Sequence, residues 1–556
     1  MDQPKGTPCQ TDCPMTMSFT SWEFWLLFAC AFMASTWLNG ANSKLSDASA
    51  VRLRSSLLLA FSVGFYLLAA APCAAILATS VLLNHGLGKL IHRQHGPARD
   101  WTTGLGVAFN VLGLAAFKYA FFIDDTFDLG LLDFGTLRLD AWMLPLGISF
   151  FTFQAISFLV DVHRRTLATP PDLLSFATYL TFFPQLVAGP IVRATAFLPQ
   201  LTSPTWNTAP SALKPFVILL IQGMMKKVLL GDVVGNWLVD PAFNDPGSMP
   251  KAWILVALYG YSLQVYADFS GYTDMAQGMA GLLGIQLPRN FNFPYRATSP
   301  ADFWRRWHMS LSQWWRDYVY IPLGGNRRLS GLTWVFLLGM VAWTGMAWGS
   351  FGGWLVLSGS VMLAAAWGLM SPTAHTRIAT AANALLVMLL GGLWHGAHVN
   401  FVTWGAINGL ALVAWIVLSP STQSQWRRAL GWLFTFHVVV FSRIWFRAGS
   451  LVYWDHGEEA MQPEGAWDIA LAMWTALTSP ATSTLDGAVD FTTWGALGLM
   501  VLGYLLHLMP HSVRTTWEHS VQKWPLWACW LLWMACTVLA AWGGQGQTRP
   551  FIYWQF

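Results

Sequence analysis

Apolar stretches long enough to cross a bilayer, roughly 17–25 residues each, recur along this chain from one end to the other. They predict membrane-crossing helices over Ser18–Leu38, Ser55–Leu83 (a hairpin broken at Pro72), Trp101–Phe122, Ala141–Val160, Phe216–Val239, Ala252–Ile285, Leu332–Trp348, Gly353–Met370, Ala381–His395, Phe401–Leu418, Leu433–Phe446, Thr493–Leu508 and Leu526–Trp542. The pattern reads as an all-α, polytopic integral membrane protein with roughly 11–14 transmembrane helices. Re-entrant or interfacial pieces lie between them. Residues 1–17 read as a polar tail, with Met17 an alternative start, and 18–556 as one membrane-embedded domain whose motif-bearing core is 182–448.

Composition agrees. Of 556 residues, 55% are hydrophobic and 10% charged, where a soluble domain is about 25% charged; the mean hydropathy is +0.44. The net charge of +4 matters less than its distribution. Basic residues gather in alternate loops: Lys44/Arg52/Arg54, Lys89/Arg93/Arg99, Arg164/Arg165, Arg289–Arg328, Arg427/Arg428 and Arg514/Lys523. Acidic ones gather in the others, at Asp124–Asp140 and Asp455–Asp468. The lysine and arginine bias of cytoplasmic loops places the first set inside. The longest non-spanning pieces, 449–491 and 287–330, fall short of the ~50 residues of an independent domain. The chemistry therefore falls to the membrane core and its rim, and other tasks to partners. The chain has neither a phosphate-cradling G-x-x-x-x-G-K-[ST] loop nor a G-x-S-x-G elbow, which argues against nucleotide hydrolysis and a serine-hydrolase site. No nucleic-acid partner is expected. Cys30, Cys73, Cys529 and Cys536 lie in apolar stretches and read as buried, and no Cys/His spacing suggests a metal.

One segment breaks the oily pattern. Asp302–Arg327, DFWRRWHMSLSQWWRDYVYIPLGGNR, holds four tryptophans, four arginines and a histidine. Ser299, Pro300 and Asp302 form a good helix start, and Pro322 with Gly324-Gly325 a stop. At 100° per residue, Trp304, Trp307, Leu311, Trp314 and Tyr318 fall on one face. Arg305, Arg306, Arg316 and Asp317 fall on the other, with His308 at the border. The plain reading is one amphipathic helix in the headgroup layer. Against it, Arg289–Arg328 contains seven arginines and no lysine, a choice that favours planar recognition of phosphate.

Three further features carry polar chemistry into apolar surroundings. In GGLWHGAHVNFVTWG (Gly391–Gly405), His395 ends a spanning run between Gly392 and Gly396. An ionisable group at membrane depth is functional by default, and glycines permit close approach of substrate or backbone; a histidine merely bonded between helices is the alternative. Asp268 and Asp274, in YADFSGYTD, suggest a polar cavity or an interhelical hydrogen-bond network. FFPQLVAGPIVR (Phe182–Arg193) reads as a re-entrant turn, tolerated only when buried in protein or lining a cavity.

At these residues the chain resembles the membrane-bound O-acyltransferase family, in particular its bacterial, alginate-type branch. The matching pieces are FFPQLVAGPI, DFSGYTDMAQGMAGLLGIQLPRNFNFPYRA, DFWRRWHMSLSQWWRDYVYIPLGGNR, GLWHGAHVNFVTWGAINGL, FSRIWFRA (Phe441–Ala448) and the terminal PFIYWQF. They run from about Phe182 to Phe556; the amino-terminal third matches in hydropathy plus a loose RLRSSLLLAFSVGFY. The resemblance implies a helical core with a tunnel or funnel, donor on one side and acceptor on the other. The family's essential histidine falls on His395 and its second motif histidine on His308.

The expected activity is transfer of an acetyl group from cytoplasmic acetyl-CoA across a bacterial inner membrane, with no bound cofactor or metal. An extracytoplasmic exopolysaccharide would be O-acetylated through a periplasmic O-acetyltransferase partner. His395 is the expected general base, because neutral imidazole suits deprotonation of a hydroxyl near neutral pH. His308 would orient donor or substrate, or serve structurally. Arg305, Arg306 and Arg316, with Trp304 and Trp307, would form a donor vestibule against the lipid surface. Peptidoglycan or cellulose acetylation and D-alanyl transfer are alternatives within the family. A proton-coupled transporter or flippase, using the aspartates and His395, and a non-catalytic scaffold of a polysaccharide-export complex are alternatives outside it.

Overall fold

The structure, a computed structural model, describes residues 19–41 (except 20), 46–127, 133–134, 137–138, 145–203, 208–335 (except 248), 339, 372–418, 424–451, 463–479 and 491–543. It is built almost entirely of helices. The first four are α1 (Trp22–Ala41), α2 (Asp47–Ala70), α3 (Ala74–Arg93) and α4 (Gly96–Phe127). After a two-residue antiparallel pairing of β1 (Asp133–Phe134) with β2 (Leu137–Arg138) come α5 (Ile148–His163), α6 (Leu173–Thr181), α7 (Phe183–Leu186), α8 (Ala194–Leu201) and α9 (Pro210–Met225). Two π-helical turns, Lys226–Asp232 and Gly235–Val239, lead into α10 (Asp240–Asn244) and the long α11 (Lys251–Leu282). Then follow α12 (Pro300–Arg306), α13 (Met309–Trp315), α14 (Pro372–His395), α15 (Val399–Leu418), α16 (Gln425–Leu451), α17 (Pro463–Thr478), α18 (Phe491–Leu508), α19 (His511–Gln522) and α20 (Leu526–Gly543).

Five helical runs among the described residues are long and apolar enough to cross a bilayer: Asp47–Arg93, Gly96–Ala120, His375–His395, Val399–Leu418 and Gln425–Leu451. A sixth arises if Thr492–Leu508 and His511–Gln522, which meet at 102°, count together. Ser18–Leu38 and Leu526–Trp542 fall on the uninterrupted helices α1 and α20, while three other expected spans are interrupted, short or polar. The 216–239 run passes into π-helical turns, α5 has 16 residues, and α11 carries Asp268 and Asp274. Leu332–Trp348 lies mostly, and Gly353–Met370 wholly, outside the described residues, as do the 1–17 tail and the terminal PFIYWQF.

The break expected at Pro72 is the 3-10 turn Ala71–Cys73. On one arm the Ser55 carbonyl accepts from Thr178, and Ser62 accepts from the Phe183 N–H. On the other arm His85 meets the Pro171 carbonyl and His92 meets Arg165. Both free ends thus lie against the same segment, as a hairpin requires. Leu82, Leu105, Leu112, Leu410 and Leu505 point outward and exposed, the mark of helices facing hydrocarbon. Cys30, expected to be buried, belongs to this exposed set, whereas Cys73 and Cys529 are buried.

The basic loops converge on one face. Arg99 donates to the Val162 carbonyl, Arg164 to the Asp317 carbonyl, and Arg193 pairs with the Asp317 carboxylate. This is the face that the lysine and arginine bias assigns to the cytoplasm. Phe182–Arg193 is an irregular, buried turn: its one short helix is α7, and the Ile191 N–H donates to Ser310 Oγ. The segment thus satisfies its backbone inside the protein, as the expected re-entrant turn must.

Candidate active site

His395 is the last residue of α14 and 5% exposed. Its ring is packed by Trp394, Trp404 and Phe446, with centroids 4.7, 5.1 and 5.1 Å away. The end of α14 is held from a distance. Tyr119 Oη on α4 donates to the Leu393 carbonyl at 2.7 Å, and Lys118 Nζ donates to the Trp394 carbonyl. Helix ends leave such carbonyls without intrahelical donors, so α4 supplies the cap that orients the histidine. The flanking glycines serve helix packing. A Cβ on Gly392 would stand 2.3 Å from the Phe401 carbonyl oxygen, and one on Gly396 would stand 2.2 Å from the Phe401 ring. His398 accepts from the Asn400 N–H at 3.2 Å beside the start of α15. Among the described residues, no group of three His, Cys, Asp or Glu side chains is placed to hold a metal.

The expected single amphipathic helix over Asp302–Tyr320 is broken. Ser299 caps α12 as foreseen, accepting from the Asp302 N–H at 3.0 Å. The chain then turns at His308, which has a left-handed backbone (φ 42°), before α13 and a π-helical turn at Arg316–Tyr320. Asn290 creates the break: its Oδ1 accepts from Ser310 N–H and Oγ–H, at 3.2 and 2.6 Å, and from His308 Nδ1 at 3.4 Å. Nor do the aromatics lie in lipid. Phe303, Trp307, Leu311 and Trp314 are buried in protein. Burial lowers the His308 pKa to about 3, so its imidazole is neutral at physiological pH.

His308 and His395 line one narrow cavity of about 190 Å³ between α13 and α14. Ala384, Met388, Gly391 and His395 form its stripe on α14, about 16 Å long at 1.5 Å per residue. Across it stand Trp304, Trp307, His308, Leu311, Trp315, Arg316 and Tyr320. The contact of Asn383 with the Gly325 and Arg328 carbonyls puts the Arg316–Tyr320 end beside the start of that stripe. The two histidines therefore share the deep end, and Arg316 lies at the basic rim.

The other sequence candidates divide. Trp304, Trp307 and Arg316 line the cavity. Arg305 is exposed and outside the lining; Arg306 is also outside it and pairs with Asp302 at 2.9 Å. Asp268 and Asp274 do not line it either. Asp268 pairs with Lys227 at 2.7 Å, Lys227 also with Asp232 at 2.9 Å, and Asp274 with Lys226 at 2.5 Å. The polar-cavity expectation is replaced by a buried ion-pair cluster, and a proton relay through these carboxylates loses its open sites. Sequence reasoning did not single out Asn290, Lys118 or Arg443. Arg443 stood inside a quoted motif, and the available signal was a lone cation in VVVFSRIWF with no acid one turn away in either direction.

The family model of the membrane-bound O-acyltransferases matches residues 15–361. The chain belongs to the membrane-bound O-acyltransferase family. A probable alginate O-acetylase, AlgI, of Pseudomonas putida is 32% identical over 494 residues, 87% of either chain. A peptidoglycan O-acetyltransferase of Helicobacter pylori is 32% identical over 409 residues, 68% of this chain and 67% of that one. A teichoic acid D-alanyltransferase of Streptococcus thermophilus is 26% identical over 325 residues, 54% of this chain and 68% of that one. The match to the family thus reaches the amino-terminal third, which motif reading had placed by hydropathy. This multi-pass membrane protein is an O-acyltransferase.

Proposed function

We propose that this acyltransferase takes an acetyl group from cytoplasmic acetyl-CoA and passes it to a hydroxyl on the other side of a bacterial inner membrane. A periplasmic partner protein would complete the O-acetylation of an alginate-like exopolysaccharide. One observation carries the reading: a single cavity runs from Arg316 on the basic face to His308 and His395 at its inner end. It is narrow enough for a thioester arm, while a phosphate-bearing head stays at the arginine rim, where a guanidinium suits phosphate. The O-acetylating activity named for two of the relatives supports acetyl as the transferred group.

In this reading His395 is the general base. The acceptor oxygen bonds to the acyl carbon while its proton passes to the imidazole. Collapse of the tetrahedral intermediate then breaks the carbon–sulfur bond, and the CoA thiolate takes up the proton. His308, neutral and bonded to Asn290, orients the arm rather than holding charge. Trp394, Trp404 and Phe446 keep water from His395.

The test uses the full chain in lipid vesicles with labelled acetyl-CoA and a candidate partner or polysaccharide. Wild type transfers label in a donor-dependent manner. His395→Ala lowers transfer by about 10²–10⁴-fold, the usual worth of a positioned general base. Equal transfer by the two would remove His395 from the mechanism. A wild type that takes a different acyl group and refuses acetyl-CoA would overturn the donor.

A further inference from the structure

Three arginines are buried among the described residues, and two of them hold polar partners. Arg54 donates to the carbonyls of Gln200, Ser203, Leu283 and Gly284 at 2.8–3.2 Å, and Arg447 pairs with Asp240 at 2.8 Å. Arg443 is different. It is 5% exposed, and among the described residues it makes no ion pair and no hydrogen bond. Its guanidinium lies over the Trp307 indole, 4.7 Å from the ring centre. Three tyrosines lie within its electrostatic reach, Tyr261, Tyr295 and Tyr504; Tyr295 donates its proton to the Ser262 carbonyl and Tyr504 to the Tyr259 carbonyl. A buried charge without a counter-ion is costly.

The position explains why such a charge is kept. Trp307 walls the inner end of the cavity, and Phe446, one turn beyond Arg443 on α16, packs on His395. Arg443 lies within electrostatic reach of His395, and so does Lys118, whose ammonium touches the Trp394 carbonyl and ring. Lys118 also has no carboxylate partner among the described residues. The nearby acids are occupied elsewhere: Asp240 by Arg447, and Asp232, Asp268 and Asp274 by Lys226 and Lys227. The inner end thus has the Arg443 charge beside it, inside apolar walls where a charge acts over several ångströms.

We infer that Arg443 supplies the positive potential that stabilises the oxyanion formed when the acceptor hydroxyl attacks the thioester at His395. This rests on the acyl-transfer reading above. As the new carbon–oxygen bond forms, the carbonyl π pair moves onto its oxygen, giving the anion. It returns when the carbon–sulfur bond breaks. Charge fixed in place beforehand favours that transient anion over the neutral thioester. The effect therefore belongs to the rate of transfer, not to donor binding.

The experiment measures kcat, the KM for acetyl-CoA and the thermal midpoint of the full chain in lipid, for wild type, Arg443→Met, Arg443→Gln and Arg443→Lys. Rates are taken per folded molecule. The neutral variants should lose about 10²-fold in kcat with KM changed less than about threefold, and the charge-retaining Arg443→Lys should recover about tenfold of that loss. Should the methionine variant not fold, the glutamine variant, with its stem and a flat polar end, decides. Unchanged kcat with a lowered midpoint would reduce Arg443 to a cation–π fastener of α16. A raised KM with kcat intact would make it a donor anchor, and either result overturns the inference. If the wild type itself does not transfer from acetyl-CoA, the proposed function falls first and takes this role with it.

Discussion

Two regions of this molecule bury positive charge, and they treat it in opposite ways. Around the π-helical turn after α9, each lysine has its acid: Lys227 lies between Asp232 and Asp268, and Lys226 meets Asp274. Around His395, Arg443 is held by the Trp307 indole face, with no carboxylate in contact among the described residues. The first arrangement is what a fold needs if it must carry ions through an apolar core, since removing one partner of a buried pair leaves an uncompensated charge. The second leaves potential unspent, and an unspent potential is useful only where charge develops during a reaction. In the proposed mechanism, paired cations mark the frame, and the unpaired Arg443 marks the reactive end.

The largest expected effect breaks the comparison on its structural side. Lys227→Met leaves Asp232 and Asp268 facing each other across an apolar site. It should cost about 3–5 kcal/mol of stability, read as a lower thermal midpoint and poor yield from lipid. The folded fraction should transfer acetyl at nearly the wild-type rate. Adding Asp268→Leu should restore part of the midpoint, because it removes one of the stranded charges. A stable Lys227→Met protein that fails to transfer would move the cluster from frame to chemistry, and the contrast would collapse.

How much of this contrast was legible in the sequence depends on whether its causes are local. The cap of α12 was, because Ser299, Pro300 and Asp302 act within one turn. The apolar length of α14 and α15 was too, because it is set by bilayer thickness. The break at His308 was not: it depends on Asn290, whose carbonyl reaches Ser310 and His308 from a loop before α12. A helical wheel drawn over Asp302–Tyr320 assumes the continuity that this side chain interrupts. Asp268 was legible as polarity in an apolar span, yet its partner Lys227 lies 41 residues earlier. Arg443 looked like one motif residue among several, because what distinguishes it is the absence of a neighbour.

A smaller effect sharpens the comparison at the other end of the cavity. Arg316 stands at the rim with its side chain 60% exposed and bonded to Asp317 at 2.7 Å. An exposed guanidinium is screened by water and salt, so its share in holding a phosphate-bearing donor is modest. Arg316→Gln should raise the KM for acetyl-CoA about threefold to tenfold and leave kcat alone, the reverse of the pattern expected at Arg443. The gap between variant and wild type should shrink as salt is added. A fall in kcat with constant KM would place Arg316 in the reacting field and erase the distinction between rim and inner end.

The smallest effect concerns His308, which shares the inner end but carries no charge. Burial lowers its pKa from 6.5 to about 3, so the folded protein keeps it neutral while the unfolded chain takes up a proton below about 6.5. Its contribution to stability is therefore complete above that value and is lost as pH falls towards 3. Between about pH 7 and pH 6 the loss is less than about 1 kcal/mol, visible as a small drop in thermal midpoint. His308→Asn is the informative variant, because asparagine tolerates the left-handed backbone found there and does not titrate. Its midpoint should fall less than that of the wild type over this interval. A wild type that gains stability on acidification, relative to the variant, would mean that His308 is charged in the fold. The inner end would then hold a cation besides Arg443, and the neutral orienting role would have to be given up.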